Sequence, residues 1–145
     1  MMMEENNSIV WMDGGNEING TEYPVYIKDN KTGKCCGIHH SRFCKPGDEE
    51  TEITFGLEGT QPIPEMAVPS DDVSIGPGPL VLMPIVNGIG EYTLHLSAKE
   101  KEKVLMDGCG VIIMNYFYQL YNGDTFQVGE STFTVCFKCF KATTG

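Results

Sequence analysis

LVLMPIVNGIGEYTLHL, residues 80–96, decides how this chain folds. Two apolar runs, 80–86 and 91–96, flank Asn87-Gly88, a dipeptide suited to the positive φ angles of tight hairpin turns. In the second run Tyr92, Leu94 and Leu96 alternate with Thr93 and His95, the period of a half-buried strand. Pro84 interrupts the first run without ending it. A β-hairpin is expected across 80–96, and it frames the reading on either side.

Downstream, Ser97 and Glu100 make a capping box, so one short α-helix is expected at about 98–107, ended by Gly108. VIIMNYFYQLY, residues 111–121, is rich in β-branched and aromatic side chains and is expected as a strand, with a helix as the alternative. As a strand it is apolar on both faces: Val111, Ile113, Phe117 and Tyr121 on one, Ile112, Met114, Tyr116, Tyr118 and Leu120 on the other. Asn122-Gly123 and Gly129-Glu130 then turn the chain through 124–128 into 131–140, which completes a three-stranded meander.

Upstream, 8–12, 22–28 and 51–57 read as short strands, the last alternating Ile53, Phe55 and Leu57 on one face. Residues 59–79, GTQPIPEMAVPSDDVSIGPGP, hold five prolines and three glycines. That spacing suits neither a helix nor a central strand. The segment reads as an extended arm or linker, and the core is expected mainly within 80–140. The fold class is mainly β: a small sandwich or barrel forming a single domain over 1–145, with one short helix and a long Pro/Gly-rich arm. A two-faced apolar strand beside an arm suggests a homo-oligomer in which 59–79 lies across a neighbour, anchored by Ile63, Met66, Val68 and Ile75.

The net charge of −10 is uneven. Residues 1–72 carry 14 acidic and 5 basic side chains, against 6 and 5 in residues 73–145. An acidic surface without a basic stripe argues against nucleic acid and leaves solubility, or a basic protein partner, as its use. Asp48, Glu49 and Glu50 are the candidate contacts. The N-terminus lacks the basic and apolar regions of a signal peptide, and no apolar run is long enough to span a bilayer. The chain reads as cytoplasmic, with its cysteines reduced.

Chemistry-bearing side chains concentrate in KCCGIHHSRFC, residues 34–44, and in Cys136-x-x-Cys139. Cys36, His39, Cys136 and Cys139 have the ligand types and internal spacings of a Cys3His zinc site. Against that, Cys136 and Cys139 sit in an alternating strand context, where i and i+3 point to opposite faces. Cys44 with His39 or His40 is the nucleophilic alternative, and it lacks a recognisable oxyanion hole.

The run NGDTFQVGESTFTV, residues 122–135, resembles the final hairpin of forkhead-associated phosphopeptide-binding domains, and His40-Ser41-Arg42 resembles their phosphate-contacting loop. The two lie about eighty residues apart, too far for that arrangement, and the family's Gly-Arg strand and Ser-x-x-His are missing. Residues 80–103 are similar to a strand–strand–helix near the end of lactate and malate dehydrogenases, without their His-centred motif. Neither likeness assigns a functional residue. The expected function is that of a non-catalytic, acidic, β-rich binding or assembly protein, in the manner of viral or phage structural or accessory subunits. A small zinc-stabilised or Cys/His-dependent enzyme using the Cys35–Cys44 cluster is the alternative.

Overall fold

The computed structural model describes residues 8–100, 103–106, 110–111 and 114–142. The strands in chain order are β1 (Ile9–Met12), β2 (Val25–Asp29), β3 (Cys35–Ile38), β4 (Ile53–Leu57), β5 (Met66–Val68) and β6 (Leu80–Val86). They continue as β7 (Tyr92–Ala98), β8 (Val104–Met106), β9 (Gly110–Val111), β10 (Tyr118–Leu120), β11 (Thr125–Val128) and β12 (Ser131–Phe137). Two sheets result, one ordered β1-β3-β2-β12-β11-β8-β9 and the other β10-β7-β6-β4-β5. The fold is a mainly β sandwich, as expected.

The 80–96 hairpin forms as β6 and β7, with Leu82 opposite Leu96 and Val86 opposite Tyr92. Asn87 fixes its turn, its side-chain oxygen accepting the N–H groups of Ile89 (3.1 Å) and Glu91 (2.9 Å). Leu80, Leu82, Leu94 and Leu96 point inward and are fully buried. Facing them from the other sheet are Val25, Ile27, Phe126, Phe133 and Val135. Period-2 alternation thus does what it should: one face of each sheet makes the core.

Four expectations are corrected. The described residues of 98–107 form no helix: Ala98 pairs with Leu80 at the end of β7, Lys99 and Glu100 bend away, and Val104–Met106 pairs with β11. A lone short helix is marginal in water, whereas two sheet edges here offer partners to the same residues. The 111–121 strand is also broken. Gly110–Val111 joins one sheet and Tyr118–Leu120 the other, with Asn115 at φ 65 between them. Ile112 and Ile113 lie outside the described residues. The two-faced strand therefore dissolves, and with it the meander, since β10 pairs with β7 rather than β11.

The core is not concentrated in 80–140. Val25, Ile27, Cys36, Ile38, Phe43, Ile53 and Phe55 are all buried in the main cluster. Nor is 59–79 an arm: Met66–Val68 is β5, parallel to β4, and Met66, Val68 and Ile75 are fully buried in this chain. Pro64 and Pro69 flank β5, which is an edge strand, so their missing N–H groups cost no ladder bond. Only Ile63 of the four candidate anchors is exposed, at 72%. With the arm folded away, the analogy to viral and phage subunits loses the feature it rested on.

Residues 13–24 cross the outer face of the first sheet and cover it with a second cluster of Ile18, Tyr23 and Cys35. Among the described residues, no helix is long and apolar enough to cross a membrane.

Candidate functional site

Strand direction places several connections at one end of the sandwich: the 30–34 turn, the 69–79 loop, Lys99 and Glu100 with Lys103, and the 129–130 turn. They are tied together. Gly129 N–H donates to the Lys103 carbonyl at 3.3 Å, and Leu57 N–H to the Gly76 carbonyl at 2.7 Å. Gly129 also backs directly onto Ser74: a Cβ there would lie 2.2 Å from Ser74 Oγ, so only glycine lets the loops touch.

Asp72 is the hub. One carboxylate oxygen accepts the Ser74 N–H (3.0 Å) and the Ser74 hydroxyl; the other accepts the Ser131 hydroxyl. Ser74 Oγ in turn accepts Glu130 N–H at 2.9 Å. Burial favours the neutral acid, but the donors from Ser131, Ser74 and the Glu130 backbone outweigh it and hold the Asp72 carboxyl below its ordinary value of 3.8. The network pins a Pro/Gly-rich loop to the β11–β12 turn. Between its pinned residues, Val73 projects 82% exposed.

The first turn is fixed the same way. Buried Asp29 accepts Lys31 N–H at 2.9 Å, and Asn30 exchanges hydrogen bonds with Thr132 and Thr134. Between the two lies an open groove of about 620 Å³ lined by Asn30, Lys31, Asp71, Asp72, Glu130 and Thr132, among others. Among the described residues Lys31 is the one cation lining it, and it pairs with Asp71 at 3.5 Å. Charge and shape suit an extended segment better than a small apolar molecule.

A depressed carboxyl stabilises the fold above the ordinary carboxyl range and loses that contribution as pH falls through its folded value. Asp72→Asn should mimic that loss at neutral pH, lowering stability by about 0.5–1.5 kcal/mol. A chemical denaturation series from pH 7 downward checks this: the variant and wild type should differ at pH 7, and the difference should shrink as pH falls below the ordinary carboxyl range.

The zinc candidates are not brought together. Cys36 lies opposite Ile27 and points into the core, where burial pushes its thiol well up. Cys136 lies opposite Tyr26 on the outer face and bonds its hydroxyl; burial first, then that bond, pushes Tyr26 up to about 12. A β-sheet separates these two ligands, so one tetrahedron cannot hold both. Cys139 Sγ turns to the Lys141 carbonyl at 3.2 Å. His39 packs between the rings of Tyr23 and His40. Among the described residues, no group of three or more His, Cys, Asp or Glu is placed to hold one ion. Cys44 contacts Thr51 Oγ1 and the Arg42 carbonyl rather than an imidazole.

Sequence reasoning passed over Asp72, Ser74 and Ser131. Their signal was present in Ser70-Asp71-Asp72-Val73-Ser74, a run of residues that bond their own backbone two positions on. It was hidden inside a segment read only for its prolines.

The class of fold is a small, two-sheet β-sandwich. The chain is similar to a solved structure described as the MEK1 FHA domain in complex with the HOP1 pThr318 peptide, with a TM-score of 0.55 and 9% identity, over 79% of this chain and 97% of that one. No family model matches the chain, and no curated protein matches it.

Proposed function

We propose that the chain is a non-catalytic protein-binding module whose loop end takes an extended, basic segment of another protein. The observation that supports this most is the groove between the 30–31, 71–74 and 130–132 segments, which among the described residues has three carboxylates and one already paired ammonium. The similar MEK1 domain was solved with a phosphothreonine peptide. That is a precedent for peptide recognition on such a sandwich.

The chemistry of this chain argues for a different peptide. Phosphothreonine brings about 1.5–2 negative charges and asks for guanidinium or ammonium groups. Arg42, the only arginine of the sequence, follows the opposite end of β3, where both its terminal nitrogens bond Glu65. Asp71, Asp72 and Glu130 would repel a phosphate at the loop end.

Fluorescence anisotropy with two short degenerate peptide libraries tests the reading: one rich in Lys and Arg, the other identical but centred on phosphothreonine. The basic library should bind, and added salt should weaken it, because charges further apart than about 8 Å are screened at physiological ionic strength. Introducing the phosphate should reduce binding. Phosphate-dependent tightening, or affinity indifferent to salt, would overturn it.

A further inference from the structure

At the far end of the sandwich the 3-10 turn His40–Arg42 is a junction. His39 N–H donates to the Ser8 carbonyl at 2.8 Å, which holds the entry to β1. His40 N–H donates to the Glu22 carbonyl at 2.9 Å, which holds the 19–23 turn. Arg42 donates to Ser8 Oγ at 3.3 Å and forks onto Glu65, which holds the 58–65 connection. Three separate segments are fastened through one turn.

That turn is itself capped by an imidazole. His39 Nδ1 accepts Ser41 N–H at 3.1 Å and lies 2.8 Å from Ser41 Oγ. A backbone N–H can donate only to a ring nitrogen that carries no proton, so the cap exists only while Nδ1 is bare. The His40 ring lies face-on to His39, with centroids 4.2 Å apart and planes 32° apart, and Tyr23 meets it edge-on at 5.3 Å. A proton on either imidazole therefore faces another ring that carries or accepts the same charge.

We propose that His39 is an acid-sensitive latch: protonation of its Nδ1 removes the cap of the His40–Arg42 turn and releases the Ser8, Glu22 and Glu65 attachments while the sandwich stays folded.

The titratable and charged groups around it are Tyr23 and Glu22 from the 19–23 turn, His40 and Arg42 from its own turn, and Glu65 from the 58–65 connection. Burial, then His40, holds the His39 imidazole below its ordinary 6.5, against a smaller opposing pull from Glu22. A base depressed in the closed form stabilises that form above its ordinary value and loses this as pH falls. The latch is closed at neutral pH and opens in mild acid.

Amide hydrogen exchange on the intact chain at pH 7.5 and pH 5, corrected for intrinsic exchange, reads it. Opening at residues 41–43 and 8–10 should increase roughly fivefold in acid, the factor carried by one lost capping bond, with β6, β7 and β12 unchanged. The midpoint should coincide with the His39 titration followed by imidazole NMR. His39→Asn, which caps without titrating in this range, should keep the turn protected at both pH values. In His40→Ala the His39 midpoint should move up. The latch is overturned by acid-insensitive protection, by opening that does not track His39, or by opening that persists in His39→Asn. If His39→Asn fails to fold, the wild-type coincidence of midpoints and the His40→Ala shift decide alone.

Discussion

Phe55→Ala is expected to remove about 3–5 kcal/mol of folding stability, the usual cost of deleting a fully buried phenyl ring. Phe55 comes from β4 in one sheet and meets Phe126 and Phe133 from β11 and β12 in the other, at centroid distances of 5.9 and 5.2 Å. Phe126 and Phe133 stack on each other at 5.5 Å. The trio is where the two layers lock, and all three rings are at most 1% exposed. Truncating the ring that crosses between layers leaves a cavity lined by the other two, which the sheet backbones hold apart. Since a whole domain is stable by only about 5–15 kcal/mol, the variant should unfold at a far lower urea concentration. A midpoint within experimental error of wild type would show that the sheets do not meet at these rings.

Gly56→Ala should cost about 1–3 kcal/mol through overpacking, and its effect should be concentrated at the loop end. A Cβ at Gly56 would stand 2.2 Å from the Pro77 carbonyl oxygen and 2.6 Å from its carbon, with Pro64 Cγ at 2.9 Å. These are backbone atoms and a ring, which cannot swing aside as a flexible side chain can. The loop must lift, and the Leu57 N–H to Gly76 bond lifts with it. Faster exchange at Leu57 and faster proteolysis within 69–79 would accompany the loss; normal protection at Leu57 would refute this account of the glycine.

Gly56 also shows where sequence reading stops. The alternation of Ile53, Phe55 and Leu57 correctly gave a strand, because a period of 2 is a local property. That Gly56 exists to let Pro77 pass is a contact between residues far apart in the chain, and nothing local announces it. The same holds for β5. Met66, Val68 and Ile75 looked like anchors on an extended arm; Met66 and Val68 are extended, but as β5 paired in parallel with β4, a partner strand that sequence does not name, and Ile75 closes a turn with Asp72.

Residues 122–135, which resemble a forkhead-associated hairpin in sequence, do form the β11–β12 hairpin, whereas His40-Ser41-Arg42, which resembles a phosphate-contacting loop, sits at the opposite end from the loops joined to β11–β12. The cysteines misled for a related reason. Ligand type and spacing are visible in the sequence, yet Cys36 and Cys136 fall on opposite faces of one sheet, which only register reveals.

The central claim is that the loop end of this sandwich, rather than its faces or its histidine turn, meets a basic partner. Amide chemical-shift mapping during titration with a Lys/Arg-rich peptide tests it most directly. The account predicts saturable shifts at Asn30, Lys31, Asp71 to Ser74 and Glu130 to Thr132, weakened by salt and lost in a variant carrying Asp71→Lys and Glu130→Lys. Shifts centred on His39 to Arg42, on Asp48 to Glu50, or absent altogether while the protein remains folded, would contradict it.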